Sequence, residues 1–166
     1  MQASRKTTPL RELRTYGESR AVRHPDCDYA AEVDVHLTVC AACGKPFTDD
    51  AVASMVCENV EFYCSKLGYR LYGYCLMPDH LHVLPSPAAS RIPMSRWLRE
   101  FKSHTTRQHQ LRAGQAELWQ RSAHDHVCRD GETAESVLTY ITNNPVRAGL
   151  VTGWQDWPWT RVFIEL

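Results

Sequence analysis

The sequence predicts an α+β domain built on an antiparallel sheet, and three observations carry that expectation. Residues 33–39 alternate apolar and polar side chains, as a half-buried strand does. Tyr69 to Leu76 and His80 to Leu84 are strand-like runs on either side of Met77-Pro78-Asp79, which together read as a hairpin. Three stretches with apolar residues at helical spacing are interleaved with these strands. A chain of 166 residues, 43% of them apolar, is enough to bury one core. The expected division is an irregular basic arm over 1–33 and a single domain over 34–166.

The arm shows no sustained periodicity and is punctuated by Pro9, Gly17 and Pro25. In the first strand Val33, Val35, Leu37 and Val39 point one way, and Asp34, His36 and Thr38 the other. Gly44-Lys45-Pro46 turns the chain, and Thr48-Asp49-Asp50 supplies an N-cap and first-turn acids for a helix. Val52, Met55, Val56, Val60, Tyr63 and Leu67 make its apolar stripe, and Gly68 is its stop. After the hairpin a second helix begins near Pro93, with Met94, Trp97, Leu98 and Phe101 facing inward. His126-Val127-Cys128 reads as a short fourth strand. The third helix covers Glu132 to about Asn143, with Asn143-Asn144-Pro145 ending or kinking it. Ala134, Val137, Leu138 and Ile141 form its buried stripe, while Tyr140 and Asn144 share one flank. The remainder, with Trp154, Trp157 and Trp159, reads as a loop and tail packed by aromatics. The order β-α-β-β-α-β-α predicts a ferredoxin-like or RRM-like βαββαβ sheet with helices on one face, plus a C-terminal helix carrying Tyr140.

Composition narrows the function classes. No apolar run approaches a membrane span and no signal-peptide core opens the chain, so the expectation is a cytoplasmic protein without a membrane partner. Seven cysteines at irregular spacing do not make a disulfide framework. Cys40 and Cys43 have the spacing of half a zinc knuckle but no second close pair, so a small zinc protein stands as one alternative. Lys and Arg together number 19, as do Asp and Glu, so net charge points to no partner. Distribution is more informative: Arg96, Arg99 and Arg107 gather on one side of the second helix, and Lys102, Arg121 and Arg129 add to the local excess. Such a face suits a phosphate backbone, and equally a solvated helix surface.

His80 and His82 project from the same face of one strand. Two neighbouring imidazoles make a metal pincer; two polar positions on an open sheet face explain them as well. A metal held by both, with the carboxamide of Asn144, keeps the open positions that catalysis needs. A tyrosine beside it can attack a polarised phosphate.

The stretch from Tyr74 to Leu84, Leu118-Trp119-Gln120, Asp125-His126, and the run from Tyr140 to Val151 occur together, in order and spacing. Over roughly His36 to Trp159 the chain resembles the single-tyrosine HUH transposases of insertion sequences, in particular the REP-associated tyrosine transposases. The N-terminal arm and the Cys40–Cys43 loop depart from that pattern. The resemblance implies that His80 and His82 are the metal pair, Asn144 the third, amide-type ligand and Tyr140 the nucleophile. It implies Mg²⁺ or Mn²⁺ as cofactor. The implied activity is cleavage of single-stranded DNA beside a hairpin through a covalent 5′-phosphotyrosine, followed by rejoining. The implied partner is single-stranded or hairpin DNA, with the protein on the nucleoid when bound and acting as a monomer or homodimer. The basic residues Arg96, Arg99, Lys102, Arg107, Arg121 and Arg129 would hold the backbone, and Trp97 or the Trp157–Trp159 segment would stack bases or pack the core. A relative that grips DNA or RNA hairpins without cutting them is the other alternative.

Overall fold

The computed structural model describes residues 34–87, 90–114, 117–128 and 133–164. The arm expected over 1–33, and Arg129, lie outside the described residues.

Strand β1 is Val35–Cys40, and a 3-10 turn at Pro46–Thr48 leads into helix α1, Asp50–Lys66. Strands β2, Arg70–Met77, and β3, His80–Ser86, form the expected hairpin. Helix α2 is Met94–Ala113 and strand β4 is His124–Val127. Helix α3, Ala134–Thr142, runs into the short helix α4, Asn144–Arg147. After a 3-10 turn at Trp154–Asp156 comes strand β5, Thr160–Val162.

The five strands lie in the order β4-β1-β3-β2-β5, each pair antiparallel. The first four reproduce the βαββαβ arrangement read from the sequence. Strand β5 is a correction, because the tail was expected to be a loop. Its three residues are too few for alternation to register, yet they pair with Gly73, Tyr74 and Cys75 at the edge. Trp157 fastens the same segment by donating its indole N–H to the Leu76 carbonyl at 2.9 Å.

Alternation divides the sheet into two working faces. Val35, Leu37, Val39, Tyr74, Leu76, Leu81 and Val83 pack against α1 and α2 in the larger core. Each fully buried aliphatic side chain there contributes about 1.5–3 kcal/mol relative to exposure. Trp97, fully buried, stacks on Phe101 at 5.3 Å between ring centres and so belongs to this core. Helix α1 starts where Asp49 accepts from the Ala51 and Val52 amides at 2.9 and 3.1 Å. A cap of this kind is worth about 0.5–2 kcal/mol.

The opposite face carries a smaller core of Cys75, Met77 and Leu84 against Val137, Leu138 and Ile141 of α3. Gly73 makes that seat possible. A Cβ there would lie 2.7 Å from Leu138 Cδ2 and 2.8 Å from the Arg161 carbonyl oxygen. Helix α3 begins two residues later than expected, at a cap where Thr133 accepts from the Ser136 amide at 3.2 Å. It ends at Thr142, and α4 starts at Asn144 with Pro145 in its first turn, so the Asn143-Asn144-Pro145 run interrupts the helix and helical structure resumes within it.

Candidate active site

Strand register builds the site on the face opposite α1 and α2. His80 and His82 stand two residues apart on β3, opposite Met77 and Cys75 on β2. On the other side Thr38 lies opposite His82, and Cys40 opposite His80. His36 and Thr38 in turn lie opposite His126 and His124 of β4, so the exposed edge histidines share this face.

The two ring Nε2 atoms of His80 and His82 converge to 3.0 Å. Each Nδ1 is occupied behind them. His80 Nδ1 lies 2.6 Å from Asp79 Oδ1. His82 Nδ1 lies 3.1 Å from both Thr38 Oγ1 and His36 Nε2. In the tautomer that carries both protons on Nδ1, these acceptors take them and both Nε2 lone pairs face one point, the arrangement by which neighbouring groups orient metal-binding histidines. Burial pushes the His82 imidazole down to about 2, with the charges of His80, His36 and Arg147 acting in the same direction. Burial, aided by His126, holds His36 down at about 4. Both rings are therefore neutral at physiological pH, as acceptors and ligands must be.

The donor set can be tested against a cation by spacing. Two nitrogens in adjacent positions of an octahedral ion at about 2.1 Å stand about 3.0 Å apart; tetrahedral geometry opens them to about 3.4 Å. The observed 3.0 Å fits the octahedral case. Among the described residues no three His, Cys, Asp or Glu side chains gather as a metal cluster. A cation here would therefore draw its other ligands from amide, water or phosphate oxygens. Asn144, the amide expected as third ligand, donates its nitrogen to the Tyr140 and Ile141 carbonyls at 3.2 and 3.0 Å. Its oxygen is the atom a cation would take.

Tyr140 is half exposed on α3. Its ring meets that of His36 edge-on at 6.3 Å between centres, and the His36 ring lies 5.2 Å from that of His82. The Arg147 guanidinium lies over the phenol, 4.8 Å from the ring centre. Tyrosine and histidine pair thus come together within one chain, joined by His36. Sequence reading placed His36 correctly on the polar side of β1 but gave it no role. The available signal was the register: once β1 pairs with β3, a histidine two residues from Thr38 must sit beside His82.

The basic residues are not gathered here. Helix α2 packs on the other face, so the sheet separates its outer surface from the histidines. Arg96 Nε donates to Glu100 at 2.8 Å, while Arg99 and Arg107 are exposed. The Lys102 ammonium donates to the carbonyls of Gln120 and Arg121 and so fastens the loop before β4. Burial lowers its pKa. Lys102, Arg107, Gln120 and Arg121 line an open cleft of about 510 Å³ on this side. Cys40 is half-buried and Cys43 exposed, both as free thiols, and no zinc cluster forms around them among the described residues.

The profile of the family described as Transposase IS200 like matches residues 29–144, more than half of the chain, and takes in His36, both strand histidines, Tyr140 and Asn144. The chain belongs to the IS200-like transposase family. It is 26% identical over 107 residues to a candidate REP-associated tyrosine transposase of Haemophilus influenzae, covering 58% of this chain and 61% of that protein. It is 28% identical over 93 residues to the REP-associated tyrosine transposase of Escherichia coli, covering 55% and 53%. These matches span just over half to three-fifths of the relatives' own lengths. In fold it is similar to a REP-associated tyrosine transposase solved bound to a REP hairpin, with TM-score 0.63, 21% identity, and 91% of this chain and 82% of that one covered. A candidate transposase of Deinococcus radiodurans is similar at TM-score 0.51 and 17% identity, over 81% and 97%.

Proposed function

We propose that this transposase-family protein is a metal-dependent, single-tyrosine DNA strand transferase that cuts single-stranded DNA beside a hairpin. The observation that carries the reading is the meeting of Tyr140, through His36, with two imidazoles whose Nε2 atoms converge to 3.0 Å. The Tyr140 oxygen attacks phosphorus, the bond from phosphorus to the 3′ oxygen breaks, and a 5′-phosphotyrosine remains. The phenolic proton passes to solvent, and the departing 3′ oxygen takes one up. Attack by another 3′-hydroxyl reverses the step and joins strands without ATP, since one phosphodiester is exchanged for another.

His80 and His82, with the Asn144 oxygen, would hold Mg²⁺ or Mn²⁺, which withdraws charge from a phosphate oxygen and orients it. Asp79, Thr38 and His36 keep the two imidazoles turned toward that point. Tyr140 and the histidines on one chain support action in cis, by a monomer or by each half of a homodimer. The hairpin partner is supported by the similar protein solved with a REP hairpin. Arg96, Arg99, Arg107 and Arg121 would meet the DNA backbone where it passes round to the far side of the sheet. The expected place of work is the cytoplasm, on the nucleoid.

The test is covalent attachment. Purified protein is incubated with Mg²⁺ or Mn²⁺ and a pool of hairpin oligonucleotides with randomised single-stranded flanks, and adducts are resolved on denaturing gels. Wild type should form a metal-dependent adduct, and Tyr140→Phe should lose it while keeping hairpin binding. Hairpin binding by wild type with no adduct under either metal would instead identify a non-cutting relative.

A further inference from the structure

The residue left over by this account is Arg147. It sits at the end of α4, beyond the stretch matched by the family profile, seven positions after Tyr140. The kink at Pro145 decides where it goes: the Arg147 amide donates to the Asn143 carbonyl at 2.9 Å, and Gly149, at φ +69°, then turns the chain away. The result lays the guanidinium over the nucleophile's ring at 4.8 Å. Its charge also reaches His82, where it disfavours imidazole protonation. Arg147 therefore stands against Tyr140 at the site. It is exposed, and among the described residues no carboxylate forms an ion pair with it.

A cation–π contact at an exposed position is worth about 0.5–1 kcal/mol, enough to hold the group in place without consuming its hydrogen bonds. A guanidinium held over a ring leaves N–H donors free beyond the ring edge. That fork matches two phosphate oxygens. Attack on a phosphodiester builds charge on the non-bridging oxygens, and a preorganised donor aimed there strengthens as the transition state forms.

We infer that Arg147 is the phosphate clamp of the site, a side chain that rides on Tyr140 and donates to a non-bridging oxygen of the scissile phosphate as the tyrosine attacks. This rests on the strand-transferase reading above. The contact with Tyr140 couples the two roles, because it brings a guanidinium to the phosphate beside the attacking phenol. Arg147 is thus a catalytic residue specific for the charge of the reacting phosphate, and not for base sequence.

The experiment uses one hairpin oligonucleotide taken from the adduct-forming pool, made with either a phosphodiester or a neutral methylphosphonate at the cut position. Arg147→Ala should bind the phosphodiester hairpin within about threefold of wild type yet form the adduct about 100-fold more slowly, the usual cost of losing one such donor. On one methylphosphonate diastereomer, where there is no charge left to neutralise, Arg147→Ala should come within about tenfold of wild type. Arg147→Lys should fall between the two on the phosphodiester, keeping charge but not the fork. Equal slowing on both substrates would overturn the clamp and leave only a packing role for the stack. Unchanged adduct rates in both variants would overturn it while leaving the parent reading intact. Absence of any adduct with wild type would defeat that parent reading, and the clamp with it.

Discussion

Gly73→Ala tests how the fold positions Tyr140, the proposed nucleophile. The added methyl would lie 2.7 Å from Leu138 Cδ2 and 2.8 Å from the Arg161 carbonyl oxygen. Ordinary contacts between such atoms fall near 3.5–4 Å, so one or both neighbours must withdraw by about 1 Å. Leu138 is fully buried on α3, two residues before Tyr140, and β5 is held to β2 over only three pairs. Overpacking of this kind costs about 1–3 kcal/mol. A shift of about 1 Å at the attacking group can cost about 100-fold in rate. Urea unfolding should show the stability loss, and adduct formation a larger relative loss, with hairpin binding retained. Leu138→Ala alone should cost about 2–5 kcal/mol through its cavity. Combined with Gly73→Ala it should cost less than the sum, because the methyl then partly fills the space. Full activity and stability in Gly73→Ala, or strict additivity in the double variant, would refute the claim that this contact seats α3.

The neighbours behind the imidazoles give a second prediction. Asp79→Asn and Thr38→Val should each weaken Mn²⁺ binding about 10- to 100-fold by calorimetry, with little loss of thermal stability. A third follows from burial. His36 is held at about 4 against 6.5 in the unfolded chain, so below pH 6.5 the unfolded chain takes up a proton that the folded one refuses. Its contribution is unchanged above that range and falls as pH drops toward 4. Near pH 5 the loss from His36 alone is about 2 kcal/mol. Urea midpoints at neutral pH and near pH 5 should show it, and His36→Gln should flatten the slope.

The legible parts of this molecule are those whose physics is local. Period-two alternation in β1 and β3, the Asp49 cap and the apolar stripe of α1 all act within a few residues. They suffice for four strands in the right order. The His80–His82 pincer is local in the same sense, since a strand puts i and i+2 on one face. Tyr140 and Asn144 fall on one helical flank for an equally local reason. Illegible features depend on pairings across the chain. His36 meets His82 across a separation of 46 residues, and only strand register makes them neighbours. Arg147 reaches Tyr140 because a kink returns it. Lys102 counted toward the local basic excess, and composition does not show the carbonyls that its ammonium meets.

The same alternation explains why stability and chemistry can be separated here. Leu81 and Val83 are fully buried among α1 and α2, while His80 and His82, between and beside them in sequence, face α3. One strand therefore serves both layers, and a change on one side need not disturb the other. The site face is the less thickly packed of the two: α3 has nine residues against the 17 and 20 of α1 and α2, and its core is correspondingly small. Small apolar area means a small free energy to shift that helix. If Tyr140 is the proposed nucleophile, meeting phosphate in one strand and later releasing it to another, it gains from standing on such an element. The imidazoles, fixed on a central strand with neighbours on both sides, gain from the opposite. On the proposed function, the half of the site that would hold metal is built on the central strand, and the half that would attack stands on the less thickly packed helix.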